Sequence, residues 1–372
     1  MSLEKVDIKW EELGFDAIET RSMFKATCSI DGKWSGGSLV PYGNIELSPA
    51  AGVLNYGQGV FEGTKAYHTS KDNIVMFRIR RNAKRMAWST ERLCIPKMDP
   101  DFFVEAVTKT VKDNLDYIPP YGKGSLYVRP IVWGTAPAIG VRAVSEYTFV
   151  VFVSPVGSYL KDGIKPLNLK IETDYHRAAA RGIGNAKAIG NYSASLYPLT
   201  KAKKEGYDEV IYLDSVDGQS IEELGSANLF ICKDGVIKTP KLSGSILDGV
   251  TRNSVCRIAK DVLGIKVEET DINLDELTMV DIEMLFIQMR SKSVQNLVKL
   301  KYRDTEDDQE YDFNVDLDTL EPTITENRNP VIDLDGNISM ELKDPTFGVF
   351  KRLGLDMLDE MDTEMILKMI SG

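Results

Sequence analysis

Lys187 stands between Ala186 and Ala188, after Gly182 and Gly184 and ahead of an apolar helical pattern. A lysine in apolar surroundings gives up its proton more readily, because desolvation penalises the ammonium. The free amine then attacks carbonyl carbons to form a Schiff base. The competing reading of such a position is a surface lysine with a buried stem. Three other stretches carry chemistry. GSILDGVTRNSV (244–255) puts Gly249, Val250 and Thr251 at a helix start, as a plain turn and first helical residues or as a site where free N–H groups and partial positive charge hold a phosphate. IEELGSANLF (221–230) places Glu222 and Glu223 ahead of a strand, as exposed turn acids or with one of them paired to a protonated ring nitrogen. RRNAKRM (80–86) packs four bases into positions 80 to 85, as a solvated face or with one arginine reaching inward to a phosphate.

Composition narrows the alternatives. The chain has 372 residues, 56 acids and 45 bases, giving a net charge of −11. That balance argues against a nucleic-acid surface. No apolar run approaches a membrane helix, and the first residues lack the pattern of a signal peptide. Cys28, Cys94, Cys232 and Cys256 are far apart and read as reduced thiols, which implies a reducing, cytoplasmic setting. The two histidines, His68 and His176, lie near no cysteine, so no metal site is expected. Neither follows a GxSxG elbow, which leaves proton transfer to lysine, tyrosine or carboxylates. YGQGVFEG (56–63) spaces its glycines one residue too widely for a dinucleotide fingerprint, and RGIGNAK (181–187) lacks the GK[ST] of a phosphate loop.

The elements that must position these residues read as two domains of mixed α and β structure. Residues 26–67 alternate apolar runs with turn residues and read as strands. NIVMFRI (73–79) reads as a strand leading into a helix from 80. Residues 101–116 form an amphipathic helix with Asp101 as N-cap and Phe103, Ala106, Val107, Thr110 and Val111 facing inward. SLYVRPIVW (125–133) and YTFVVFVSPV (147–156) are strands. The unpatterned GSYLKDGIKP puts a boundary at 158–166, between a smaller domain over 1–157 and a larger one over 167–372. The second half adds a helix over NYSASLYPLTKAKKEG. A further helix from Gly249 stops at Gly264, with Val250, Val255, Ile258, Ala259 and Val262 on one side. MLFIQM is a further strand, the run DTEDDQEYD a solvated loop, and the last residues a helix.

Taken in order along the chain, YGQGVFEGTKAY, FRIRRNAKRM, SLYVRPIVWGT, GIGNAKAIGNYSASL, EVIYLD, EELGSANLF and SILDGVTRNSV resemble the fold-type IV pyridoxal-phosphate enzymes. The similarity is greatest to the branched-chain amino-acid aminotransferases. That resemblance implies a two-domain α+β, D-amino-acid-aminotransferase-like fold and transamination between leucine, isoleucine or valine and 2-oxoglutarate in a homodimer. It implies that Lys187 holds pyridoxal 5'-phosphate as a Schiff base and later moves the substrate proton. Tyr192 would bond the cofactor's phenolate oxygen, and Glu223 its ring nitrogen. Arg85, Ser226, Val250 and Thr251 would bind the cofactor too, with Arg85, Val250 and Thr251 on the phosphate. Tyr56, Phe61, Tyr127, Arg129 and Tyr159 would wall the substrate pocket, with Arg129 also receiving the distal carboxylate of glutamate.

The chain departs from the family at three places: Arg181, the stretch Gln288 to Ser291 where the family has a small Gly-Thr-Ala loop, and the tail beyond about 303. The alternatives within the resemblance are a D-amino-acid aminotransferase, an aminodeoxychorismate lyase-like enzyme, or a paralogue that binds the cofactor without transaminating. A scaffold protein of the same fold is the alternative outside it.

Overall fold

The computed structural model describes residues 8–157, 167–233 and 235–273, together with the backbone strands 297–303, 310–316, 331–333 and 339–341. By internal contacts the chain divides into two units. The first comprises Met1–Gly163, Arg177–Lys201 and Leu242–Val255; the second comprises Ile164–His176, Ala202–Lys241 and Cys256–Gly372. Two segments that the sequence places after the boundary at 158–166 therefore pack with the first unit, and they carry Lys187, Val250 and Thr251.

The first unit is built on a seven-stranded antiparallel sheet. Its strands are β1 (Ser22–Ser29), β2 (Ser38–Pro41), β3 (Gly59–Phe61), β4 (Thr64–His68), β5 (Ile74–Met76), β6 (Ser125–Gly134) and β7 (Glu146–Val156). The order is β2-β1-β7-β6-β4-β5, with β3 also on β6. Central β7 is apolar at nearly every position because both its faces are covered. The helices of this unit are α1 (Gly52–Tyr56), α2 (Ile79–Arg92), α3 (Pro100–Asp113), α4 (Ile189–Ala194), α5 (Leu196–Lys204) and α6 (Val250–Arg257), the last two running on into the second unit.

One sheet face meets α2 and α3. Leu126, Val128 and Val132 of β6 and Phe149, Val151 and Val153 of β7 join Ala83 and Met86 of α2 and Phe103, Ala106 and Val107 of α3 in one core. Each such large side chain contributes roughly 1.5–3 kcal/mol by leaving water. The inward set expected on α3 is buried as read, but the cap differs. Asp99, not Asp101, accepts from the N–H groups of Asp101 and Phe102, with Pro100 at the first helical position. Proline there costs no hydrogen bond, and it moves the helix start back one residue.

Alternation along β6 turns Tyr127, Arg129 and Ile131 to the opposite sheet face. The β4 register puts Lys65 across from Tyr127, and the β3 register puts Phe61 across from Ile131. One face of three neighbouring strands thus presents Phe61, Lys65, Tyr127 and Arg129.

Three expectations are corrected here. The strand over 73–79 shrinks to β5, because Arg78 adopts a left-handed φ of 51° and starts α2. The single helix over NYSASLYPLTKAKKEG is two, broken at Ser195; Pro198 supplies no N–H to a continuing helix and fits the first turn of α5. From Gly249 the helix does not bury its valine and isoleucine side. Ile258 and Val262 are exposed; of that side Ala259 is buried, as are Arg252, Ser254 and Cys256 off it. Gly264 does close this stretch, with φ 66°.

In the second unit, β8 (Leu169–Glu172) runs parallel to β9 (Glu209–Leu213), which pairs antiparallel with β10 (Ile221–Leu224). A second sheet holds β11 (Ile231–Lys233), β12 (Val236–Pro240) and β13 (Lys266–Thr270), the last pair parallel. Two antiparallel pairs follow, β14 (Leu297–Arg303) with β15 (Glu310–Asp316) and β16 (Val331–Asp333) with β17 (Ser339–Glu341). The expected strand MLFIQM and the C-terminal helix lie outside the described residues. None of the four cysteines forms a disulfide, and Cys94 is exposed rather than in a core. No helix among the described residues is long and apolar enough to cross a membrane.

Candidate active site

The turn before Lys187 is fixed by backbone contact. A Cβ on Gly184 would lie 2.0 Å from the Ser245 carbonyl oxygen, so only glycine lets the two chains pass. Asn185 N–H donates to the Gly244 carbonyl, and Asn191 Nδ2 donates to the Ile183 and Ala186 carbonyls at 2.9 and 3.0 Å. Arg181, a departure from the family pattern, takes a left-handed φ of 60° without being glycine. The Lys187 backbone is then clamped on both sides. Its N–H donates to Ser89 Oγ of α2 at 3.0 Å, and its carbonyl accepts from Phe61 N–H at 3.1 Å. Val60 and Ala188 form a bridge beside it. With the main chain held, the side chain is the part that can swing.

Lys187 is half-buried, and its Nζ donates to Tyr192 Oη at 2.8 Å. The same amine lies 4.7 Å from the centre of the Phe61 ring and 5.1 Å from that of Tyr192. The two rings meet edge to face at 4.7 Å. An amine within hydrogen-bond reach of a phenol is a nucleophile with a proton-exchange partner. Phe61 continues the cluster, since the Arg129 guanidinium sits 4.6 Å from its ring and 5.2 Å from that of Tyr127. Arg129 Nη2 donates to Tyr127 Oη at 2.9 Å. The structure therefore gathers Lys187, Tyr192, Phe61, Arg129 and Tyr127 in one patch.

The basic start of α2 meets the start of α6. Arg81 and Arg85, four residues apart, share one face of α2, and Arg78 is the left-handed residue just before it. Arg78 donates to Ser254 Oγ and Asn253 Oδ1, and Arg81 pairs with Asp248. Arg85 forks onto Glu62 through Nε at 2.7 Å and Nη2 at 2.8 Å, and its Nη1 donates to the Asp248 carbonyl at 3.1 Å. Burial opposes the charge on Arg85, but the attraction and hydrogen bonds of Glu62 outweigh it and raise the pKa. Glu62 has no exposed surface and also accepts from Asn82 Nδ2 at 2.8 Å. Most of the Arg85 fork thus serves a buried carboxylate, while Val250 and exposed Thr251 begin α6 with first-turn amides that no helical carbonyl uses.

Tyr56 stands apart from the ring cluster, at the end of α1, with its hydroxyl on the Ile139 carbonyl. Glu223 and Ser226 stand in the second unit. Glu223 is buried and accepts from Asn228 Nδ2 at 2.8 Å; neighbouring Glu222 is buried as well, and Ser226 is exposed. Tyr159 and the stretch Gln288 to Ser291 lie outside the described residues. No cluster of possible metal ligands occurs among those described.

Sequence reasoning passed over Glu62, Lys65, Arg78 and Ser89. Glu62, a carboxylate inside an apolar, glycine-rich run, was the one visible signal. Ser89 carries none, because its value lies in being beside Lys187 in space.

A family model described as amino-transferase class IV matches residues 59–286. A second, described as T4 bacteriophage base plate protein, matches residues 250–372. The chain is 49% identical over 278 residues to branched-chain-amino-acid aminotransferase 5, chloroplastic, of Arabidopsis thaliana, covering 75% of this chain and 67% of the relative. It is 47% identical over 274 residues to the mitochondrial branched-chain amino acid aminotransferase 1 of Humulus lupulus, covering 74% and 70%. Among solved structures, the branched-chain aminotransferase of the archaeon Thermoproteus uzoniensis with norvaline superposes with a TM-score of 0.59 at 29% identity, covering 68% of this chain and 80% of that one. The names of the plant relatives overturn the cytoplasmic placement read from the cysteines. Free thiols report a reducing milieu, not the compartment that provides it.

Proposed function

The chain belongs to the class IV aminotransferases, and from that premise we propose that it transfers an amino group between leucine, isoleucine or valine and 2-oxoglutarate. The relatives matched over about three quarters of the chain carry that activity in their names. The carrying observation is the patch in which the Lys187 amine, the Tyr192 phenol and the Phe61 ring meet within hydrogen-bond and ring-contact distance.

The residues present fit pyridoxal 5'-phosphate. A half-buried amine with a clamped backbone suits a Schiff base, and first-turn amides at α6, with arginines behind them, suit a phosphate. Bound there, the cofactor supplies an electron sink that makes the substrate's α-carbon proton acidic. Lys187 would hold the cofactor covalently and, once the substrate's amine has displaced it, its freed amine would take that proton and return it. Tyr192, bonded to the Lys187 amine, keeps it oriented and carries a proton of its own. Val250 and Thr251 would donate to the phosphate from the α6 start. Arg85, tied to Glu62 and to the Asp248 carbonyl, holds that start against α2. Glu223, which accepts from Asn228, would be the carboxylate for the ring nitrogen. Phe61 and Tyr127 offer apolar faces to an aliphatic side chain, and Arg129 offers its charge to a distal carboxylate. A homodimer is the assembly in this reading.

The visible absorption spectrum of the purified protein tests the reading. A cofactor band that fades with L-leucine and returns with 2-oxoglutarate supports it. A band that answers only to D-amino acids moves the substrate class. A band that answers to no amino acid leaves a cofactor-binding paralogue, and no band removes the cofactor.

We further infer that the last part of the chain is a segment of another kind. The class IV match ends at 286, the base plate protein match runs to 372, and the stretch from Gln288 lacks the family's small loop. A chain ended at residue 286 that keeps leucine turnover would separate the two; one that loses it would make the tail part of the enzyme.

A further inference from the structure

Lys65 on β4 is a half-buried lysine. No carboxylate pairs with it among the described residues, and burial alone pulls its pKa below the lysine range. Its ammonium lies 5.8 Å from the Phe15 ring, which meets Tyr127 edge to face at 5.6 Å. Tyr127 is its direct cross-strand neighbour on β6, and Arg129, two residues on, shares that face. Cross-strand diagonals of this kind bring long side chains within reach of one another. Arg129 also has no carboxylate paired with it among the described residues. It bonds Tyr127 and covers the Phe61 ring, and its Nε is buried with no hydrogen-bond partner among the described residues.

Two cations facing one sheet surface without an anion are costly to keep in a folded chain. The arrangement stabilises a ligand that brings the anion. We propose that Lys65 is a specificity-determining residue that joins Arg129 in binding the distal carboxylate of a dicarboxylate substrate of the glutamate and 2-oxoglutarate class. This rests on the aminotransferase reading for its substrate class.

The two cations divide the task. Arg129 is held by Tyr127 and two ring faces, so its position is fixed. Lys65 has a flexible four-carbon stem and one loose ring contact, so its ammonium can advance onto a carboxylate or withdraw toward water. An aliphatic side chain then meets the Phe61 and Tyr127 rings with Lys65 withdrawn. A distal carboxylate meets both charges.

Binding of two amine-free probes to the complete chain tests this, with affinities read by calorimetry. Glutarate carries the distal carboxylate, and 4-methylpentanoate replaces it with a branched aliphatic end. Lys65→Met should weaken glutarate by about 10–100-fold, the worth of one hydrogen bond to a charged group. It should leave 4-methylpentanoate unchanged within about two-fold. Lys65→Arg, which keeps the charge, should retain most of the glutarate affinity. Lys65→Gln carries the same expectation as Lys65→Met and serves should that variant not fold. Unchanged glutarate binding overturns the proposal, and so does equal weakening of both probes, which marks a structural role. Leucine turnover by the unaltered chain is measured in parallel. If turnover is absent while glutarate binding still depends on Lys65, the aminotransferase reading falls and the carboxylate site stands.

Discussion

Lys187 Nζ donates a 2.8 Å hydrogen bond to Tyr192 Oη, a partner five residues further along the chain. A helical pair would need three or four residues of separation. Here the spacing works because Lys187 precedes α4 and Tyr192 lies on it, so the side chain reaches forward onto the helix face. A nucleophile placed before a helix keeps a rigid acid-base partner without itself being helical.

Lys187→Ala should abolish covalent cofactor attachment and lower turnover by at least about a thousand-fold, the scale seen when a covalent nucleophile is removed. Borohydride reduction followed by peptide mass analysis checks this. The unaltered chain should gain the cofactor mass on the peptide bearing Lys187, and the variant should not. Mass gain at another lysine would sink the assignment.

Glu62→Gln should destabilise the protein by about 3–5 kcal/mol, because removing one partner of a buried ion pair strands the other charge. Glu62 has no exposed side-chain surface and Arg85 only 11%. The midpoint of urea unfolding, compared at constant slope, measures the loss. Arg85→Met in the same chain should recover a large part of it, since no stranded cation then remains. A single variant within about 0.5 kcal/mol of the parent would show the pair to be idle.

Much of this was legible in the sequence, for identifiable reasons. The β7 run and the inward face of α3 follow from hydrophobic pattern alone, so they were readable. Lys187, Tyr192, Phe61, Tyr127 and Arg129 were named from motif order, and they do meet in one patch. Glu62 and Ser89 were not named, because their significance lies in contacts with residues 23 and 98 positions away. Local pattern also misjudged the stretch after Gly249, where Arg252 and Ser254 are buried and Ile258 is exposed. Arg78 reads in the sequence as one more surface base, because its partners Asn253 and Ser254 on α6 lie 175 and 176 positions further along the chain.

Gly63→Ala should raise KM more than it lowers kcat. A Cβ there would lie 2.4 Å from Tyr127 Oη, so the phenol must shift. The shift loosens the Arg129 hydrogen bond at the wall while leaving Lys187 and Tyr192 in place. Overpacking of this kind costs roughly 1–3 kcal/mol, and steady-state kinetics with leucine and 2-oxoglutarate would show where it falls. A fall in kcat at constant KM would mean that Tyr127 is not part of the binding wall.

Lys65→Met should stabilise the folded chain at neutral pH. The lysine is desolvated with no counter-charge among the described residues, so its folded pKa lies below the ordinary value of 10.5. Below the folded pKa both states carry the proton, and the folded state bears the whole cost of the buried charge. Between the folded and unfolded values the unfolded chain holds more protons, so stability rises with pH and the cost disappears. Tyr127 and Arg129 from β6 and Phe15 from the N-terminal segment face this amine, and none of them is an anion that would reverse the sign. The variant should therefore melt about 2–4 °C higher near pH 7, with the gain shrinking as pH climbs toward the ordinary lysine value. Saturating glutarate should close the gap from the other side, because it binds the parent more tightly and so stabilises it more than the variant. A variant that melts lower than the parent at neutral pH would show that the Lys65 stem and its contact with Phe15 outweigh its charge, and the cost assigned to the unpaired ammonium would be wrong.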